Sequence, residues 1–86
     1  MNPTMEKLIK LFNLSPRESE VAYFVSLGVT NKEAANSLLI TEKTVKFHLT
    51  NIYRKMSVKS RGQLIVRVIR PDIKGNVFGE YTASEV

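Results

Sequence analysis

The chain has 86 residues, of which 43% are apolar, with a formal net charge of +5 and no cysteine. This length allows one small domain, and the lack of cysteine excludes a disulfide framework and a thiolate zinc site. The single histidine and the scattered carboxylates make no ordinary metal site, so we expect neither metal nor cofactor. No apolar run nears the ~20 residues that span a bilayer, and no secretory signal is visible, so we expect a cytoplasmic protein.

The charge is distributed unevenly. Residues 1–42 carry four basic and five acidic side chains, residues 43–70 carry eight basic side chains and no acid, and residues 71–86 carry one basic and three acidic side chains. The acid-free stretch indicates either the electrostatic footprint of a polyanion-binding protein or a solvated basic face. Charge alone does not choose between these two interpretations.

Helix signals begin at the amino terminus, and strand signals are poor throughout. Apolar residues spaced i, i+3, i+4 and i+7 from Met5 predict a helix over residues 4–12, although a loosely packed arm would show the same pattern. A capping box formed by Ser15 and Glu18 then predicts a helix over residues 16–27 that ends at a glycine.

A short helix, a turn and a longer helix follow. A second capping box, Thr30 with Glu33, predicts a helix over residues 31–38, and Thr41 is a candidate N-cap for a helix over residues 42–56. Two helices joined by a turn of three or four residues are typical of a DNA-binding helix-turn-helix. Such a motif needs small residues where the helices cross and an apolar plug in the turn, which are supplied by Ala34 with Ala35 and by Leu38 with Ile40.

The predicted helix 42–56 has two faces. Its apolar face consists of Val45, His48 or Leu49, Ile52 and Met56. The other face is mainly basic and contains Lys43, Lys46, Phe47, Thr50, Arg54 and Lys55. The aromatic at position 47 is either a core residue or a groove-facing one, and the filled apolar face favours the second interpretation.

A third capping box, Ser60 with Gln63, predicts a last helix over residues 61–70 that Pro71 terminates. Its five apolar residues in six positions exceed one helix face. The excess indicates a dimer interface, for which the candidate residues are Leu64, Ile65, Val68 and Ile69. Alternatively, the tail 71–86 covers this face through Val77, Phe78 and Tyr81.

Several of these features form a series of short motifs between residues 14 and 65. They comprise the stretch 14–21, Gly28, the stretch 30–35, Leu38, the stretch 40–46, His48, Ile52, Lys55 with Met56, Val58 and Arg61. Together they resemble the LuxR/GerE-type helix-turn-helix domain of bacterial transcription regulators. The resemblance implies an all-α, four-helix domain over residues 14–70, whose third helix reads DNA and whose fourth helix often mediates dimerisation. Residues 1–13 then form an arm or an extra helix, and residues 71–86 form a tail.

The resemblance also implies which residues contact DNA. Lys46, Phe47 and Thr50 match positions that often meet bases: the lysine can donate to guanine, and the aromatic ring can pack on a thymine methyl group. The remaining candidates flank them and include phosphate contacts: Asn31, Lys32, Thr41, Lys43, Thr44, Arg54 and Lys55. Plain helix-start chemistry explains Asn31 equally well, and Arg61 either joins a structural ion pair or contacts a phosphate.

We therefore expect a bacterial, nucleoid-associated, sequence-specific DNA-binding regulator of transcription that binds double-stranded DNA as a homodimer and lacks a receiver or ligand-sensing domain. Other candidate partners are RNA polymerase or another regulator. The alternative is a protein-interaction module that modulates a larger regulator of the same fold. We expect no enzyme, because the sequence shows no glycine-rich phosphate loop, nucleophile–base pair or metal cluster.

Overall fold

The computed structural model describes residues 2–72, which form five α-helices and no strand. The helices are α1 (Pro3–Phe12), α2 (Pro16–Ser26), α3 (Asn31–Leu38), α4 (Glu42–Met56) and α5 (Arg61–Ile69). Each lies within one residue of its predicted bounds at either end, so the all-α prediction is confirmed. The predictions for Val77, Phe78 and Tyr81 fall outside the described residues.

The amino-terminal segment is a packed helix. The Asn2 side chain caps α1 by accepting a 2.8 Å hydrogen bond from the amide of Met5. Leu8 is buried in the core, and Phe12 packs against that core at the end of the helix. Helix α1 contacts α2; of its predicted apolar stripe, Leu8 is buried, and Met5, Ile9 and Phe12 are half-buried.

Two complete capping boxes start α2 and α3. The Ser15 hydroxyl accepts from the amide of Glu18 at 3.1 Å, and the Glu18 carboxylate accepts from the amide of Ser15 at 2.9 Å. Thr30 and Glu33 exchange the same pair of bonds at 3.1 and 2.8 Å. Each box satisfies backbone donors that the first helical turn leaves without an intrahelical partner.

Single cap bonds start α4 and α5. The Thr41 hydroxyl accepts from the amide of Thr44, and the Ser60 hydroxyl accepts from the amide of Gln63. The reciprocal bond predicted at Ser60 is wrong, since the Gln63 side-chain oxygen accepts from the amide of Lys59 at 2.8 Å. The backbone φ of Ser60 is −149°, whereas it is −70° and −77° at the N-caps of the two complete boxes. This rotation turns the amide of Ser60 away from the Gln63 side chain.

Three helices end in Schellman motifs. In each, a residue with positive φ follows the helix, and the next amide donates back to a carbonyl five residues earlier. The positive-φ residues are Gly28 after α2, Leu39 after α3 and Ser57 after α4. The apolar residue that follows each of them packs on the core, and these residues are Val29, Ile40 and Val58. Only the first motif uses the glycine that this conformation favours.

Helix α2 is the centre of the fold and contacts each of the other four helices. Its Val21, Ala22 and Val25 are fully buried. The remaining core consists of Leu8, Leu14, Ala34, Ala35, Leu38, Val45, Leu49, Ile52, Met56, Val58, Leu64 and Val68. The two small residues of α3 are thus buried, α3 contacts both α2 and α4, and the predicted apolar face of α4 lies in the core.

Helix α5 buries much of its apolar surface against other helices of the same chain. Leu64 and Val68 are buried, and Ile65 is partly buried against the core, because α5 lies along α2. Leu64 and Val68 are therefore corrected from dimer contacts to core residues. Of the four predicted dimer residues, Ile69 remains well exposed at 65%, and Val66 is a further exposed apolar side chain on this helix.

Leu39 offers a direct test of the helix-turn-helix turn. Its φ is 59° and its side chain is 91% exposed, so it adopts a strained conformation without burying a side chain in return. We expect Leu39→Gly to raise the free energy of unfolding by about 1 kcal/mol in urea titrations. Leu39→Ala is the matched control, because it removes the side chain and keeps the strain. Equal stability of the two variants would contradict this account.

Candidate nucleic-acid interface

The outer face of α4 carries a continuous polar and cationic stripe. Lys43, Phe47, Thr50 and Arg54 follow one another at i, i+4, i+7 and i+11, and Lys46 lies beside them; all five are exposed. This stripe lies opposite the buried stripe of α4 because the helical repeat separates the two sets by about half a turn. The prediction that these five side chains lie off the apolar face is confirmed.

Phe47 lies in the middle of this outer stripe. Its side chain is 64% exposed, and its ring makes an edge-to-face contact with the half-buried His48 ring at a centroid distance of 5.9 Å. The structure therefore confirms that Phe47 lies outside the core. A large apolar ring held in water is available to an apolar surface such as a thymine methyl group.

Hydrogen bonds within the helices restrain several of the candidate contacts. The Thr50 hydroxyl donates to the carbonyl of Lys46 at 3.1 Å, which leaves its oxygen lone pairs facing outward as acceptors. The hydroxyls of Thr41 and Thr44 lie 2.9 Å apart at the start of α4. These bonds order the side chains around the amino-terminal turns of α4 before any ligand arrives.

The start of α3 is tied to α5. Arg61 donates through Nη1 to the Asn31 side-chain oxygen at 2.9 Å and through Nη2 to the Val29 carbonyl at 2.7 Å. Both acceptors are uncharged, so Arg61 makes structural hydrogen bonds rather than an ion pair. Lys32, the neighbour of Asn31, is exposed.

Lys55 lies away from the outer stripe and bonds within the fold. Its Nζ lies 2.8 Å from the Glu18 carboxylate and 3.2 Å from the carbonyl of Asn13. The sequence predicts a DNA contact for Lys55, and it holds no local signal for Glu18, which lies 37 residues away. This ion pair joins the end of α4 to the capping box of α2.

The eight cations of residues 43–70 consequently divide into different environments. Lys43, Lys46 and Arg54 lie on the outer stripe. Lys55 and Arg61 bond to other helices or loops, and the buried Arg67 donates to the carbonyl of Met56 at 3.1 Å. Lys59 is exposed beyond α4, and Arg70 pairs with Asp72 at the surface. Some cations of the acid-free segment therefore bond within the fold, and only the others form an exposed basic surface.

A comparison with protein families agrees with this geometry. Residues 12–68, which include α2 to the end of the helix-turn-helix and nearly all of α5, match the bacterial regulatory proteins of the LuxR family. The chain belongs to the LuxR family. Membership of a family of regulatory proteins confirms the expectation of a helix-turn-helix regulator domain rather than an enzyme. Helix α1 lies almost wholly outside the matched LuxR-family segment.

Curated relatives of this LuxR-family chain are transcriptional regulators. It is 42% identical over 66 residues to the transcriptional regulatory protein LnrK of Bacillus subtilis, covering 77% of this chain and 30% of the relative. It is 46% identical over 56 residues to the transcriptional activator protein CarR of Pectobacterium carotovorum, covering 65% and 23% of the two chains. It is 44% identical over 52 residues to the CsgBAC operon transcriptional regulatory protein of Escherichia coli, covering 60% of this chain and 24% of the relative.

The chain thus spans less than a third of the length of these relatives. No solved structure matches it significantly. Among residues 2–72, no helix is long and apolar enough to cross a membrane.

The ion pair at the end of α4 has a charge state that depends on pH. Burial raises the pKa of Glu18, but the hydrogen bonds from Lys55 and from the amide and hydroxyl of Ser15, with the nearby positive charge, lower it, so that its pKa lies below the ordinary 4.5. A carboxylate with a lowered folded-state pKa stabilises the fold above its unfolded pKa. That contribution is lost as the pH falls through the folded pKa.

We expect Lys55→Met to lower the free energy of unfolding by about 2 kcal/mol at neutral pH, because it leaves the buried Glu18 without its cation. The variant should also lose less stability than the unmodified chain on acidification below pH 4.5, the ordinary pKa of this carboxyl. Urea unfolding across a pH series measures both effects. Lys59→Met removes an equal charge from an exposed site and serves as the control, and a matching loss in that variant would argue against the ion pair.

Proposed function

We propose that this chain is a sequence-specific DNA-binding domain of a transcription regulator and that α4 enters the major groove of double-stranded DNA. The observation that carries the proposal is the outer stripe of α4, where three cations flank an exposed aromatic ring. An exposed helix with its opposite stripe anchored in a core is the geometry that fits a major groove. Membership of a family of regulators supports the same function.

The outer stripe offers distinct chemistry to bases and to phosphates. We assign Lys46 to a guanine, whose O6 and N7 accept hydrogen bonds, and Phe47 to a thymine methyl group. Thr50 lies one turn further along and presents an acceptor to a base edge. Lys43 and Arg54, at the two ends of the stripe, are placed to neutralise backbone phosphates.

The flanks of α4 supply further backbone contacts in this proposal. Thr41 and Thr44 lie at the amino terminus of α4, where the helix dipole and free amides favour a phosphate. Asn31 and Lys32 lie at the start of α3, where they are placed to contact a backbone phosphate in the same way. Lys55 is left out of the proposed contacts, because its ammonium group already bonds to Glu18 and Asn13.

We propose in addition that two copies associate through the exposed apolar side chains of α5. Val66 and Ile69 are 41% and 65% exposed, while the other apolar side chains of the helix are committed to the core. Exposed apolar area of this kind is the part of α5 that a second copy can bury. A symmetric pair of domains would present two α4 helices to successive half-sites.

Footprinting on genomic DNA fragments tests the DNA-binding proposal and supplies an operator for titration. On that operator, Lys46→Ala should weaken binding by about 1–3 kcal/mol, because a base contact is lost. Lys43→Ala should weaken it and lower the salt slope of log K by about 0.9, because a phosphate contact is lost.

Lys7→Ala is the matched control, since it removes a lysine that is also exposed but lies on α1 rather than α4. It should leave the affinity near that of the unmodified chain. The absence of any footprint, or equal affinities for the three lysine variants, would refute the proposed groove contact.

Sedimentation equilibrium tests the association of two copies. Ile69→Asp should shift the chain to monomer, because it places a charge in the proposed apolar contact. Leu11→Asp is the control, because it adds the same charge to a comparably exposed apolar position on α1. A purely monomeric unmodified chain, or an unchanged dimer in Ile69→Asp, would overturn this part of the proposal.

A further inference from the structure

Arg61, the first residue of α5, holds the start of α3 in a defined conformation. One terminal nitrogen donates to the Asn31 side-chain oxygen at 2.9 Å, and the other donates to the Val29 carbonyl at 2.7 Å. The acceptors lie 30 and 32 residues away in the sequence. Because both terminal nitrogens are engaged and the guanidinium is planar, the two bonds fix the orientation of the group.

This contact also fixes which end of the Asn31 amide faces outward. A guanidinium group only donates hydrogen bonds, whereas an asparagine amide has an accepting oxygen and a donating NH₂ group. Arg61 therefore selects the amide orientation whose oxygen points toward α5, and the NH₂ group is turned to the other side. Asn31 is only half-buried, and Lys32, the next residue in the chain, is exposed.

We infer that Arg61 is a positioning residue for DNA backbone binding: it holds the Asn31 NH₂ group as a donor to a phosphate oxygen and does not itself contact DNA. The inference rests on the proposed function, in which α3 flanks the helix that enters the groove. A phosphate oxygen only accepts hydrogen bonds, so a fixed NH₂ group beside Lys32 matches its chemistry. The family resemblance left Arg61 open between a structural and a phosphate-binding role, and the two bonds favour the first.

A double-mutant cycle separates positioning from direct contact. The probe is a labelled random-sequence duplex of about 30 base pairs, because a phosphate contact does not depend on sequence. Arg61→Ala should weaken binding by about fivefold in the unmodified chain and by less than twofold in the Asn31→Ala background. The same fold loss in both backgrounds would mean that Arg61 acts independently of Asn31 and would overturn the inference.

The salt dependence of binding gives a second readout. It distinguishes an Arg61 that only positions Asn31 from an Arg61 that contacts a phosphate itself. An uncharged amide releases no counterion when it binds phosphate, so Asn31→Ala and Arg61→Ala should both lower the affinity without changing the slope of log K against log salt. If Arg61 contacts a phosphate itself, Arg61→Ala should lower the slope by about 0.9. That result would overturn the inference.

A variant that keeps the fold guards against a trivial loss of structure. Asn31→Asp retains an acceptor for Arg61 but replaces the outward donor by a second carboxylate oxygen, which repels phosphate. It should unfold at a urea concentration no lower than the unmodified chain and bind the duplex at least tenfold more weakly. Asn36→Asp makes the same chemical change at an exposed position of the same helix and should lower the affinity less. Equal losses in the two variants would count against a specific role for Asn31.

The double variant Lys43→Ala/Lys46→Ala, measured on the same duplex, separates failure of this inference from failure of the proposed function. If that variant binds weakly and the Arg61 and Asn31 effects are additive, α4 still binds DNA and only the positioning role is wrong. If the double variant binds as the unmodified chain does, the groove contact itself is wrong, and the inference that depends on it is refuted as well.

Discussion

The burial of one stripe of α4 determines the direction of the opposite stripe. Val45, Leu49, Ile52 and Met56 lie in the core against α2 and α3, so α4 cannot rotate without exposing apolar surface. Burial of such side chains contributes about 1.5–3 kcal/mol each, which makes rotation far more costly than any single surface contact could offset. The backbone of α4 is thereby held in place, so that the helix carrying the outer stripe loses little backbone entropy when it binds.

The cations of residues 43–70 hold the helices together as well as lining the exposed surface of α4. Lys55 joins the end of α4 to α2, and Arg67 donates from α5 to the last residue of α4. Arg61 joins α5 to the start of α3. Long cationic side chains therefore bond to both ends of the helix-turn-helix, and the carbonyls, the amide oxygen and the carboxylate they meet compensate for their lost hydration. Since two of the three start on α5, a contact that moves this helix would also act on α3 and α4.

The helices were predictable because their signals are local. A capping box joins residues three positions apart, and the stripe of α4 repeats within one helix, so Ser15, Thr30 and Thr41 indicate helix starts without knowledge of the fold. The exposure of Phe47 followed from the same repeat. Prediction was wrong at Ser60, where its backbone φ turns the amide away from Gln63. Such a rotation depends on how the loop before α5 joins the core.

Sequence alone thus determined the helix bounds, the two faces of α4 and the family. Tertiary structure decided which charges and apolar groups are available at the surface. Lys46 and Lys55 are both lysines of α4 without an acidic neighbour in the basic segment. Lys55 nevertheless pairs with Glu18, whereas Lys46 is exposed. The helical spacing of Leu64 and Val68 also fits a dimer interface, but both side chains are buried within the chain because α5 lies along α2. These outcomes depend on partners 30 or more residues away, and a helical repeat carries no information about which element will lie against it.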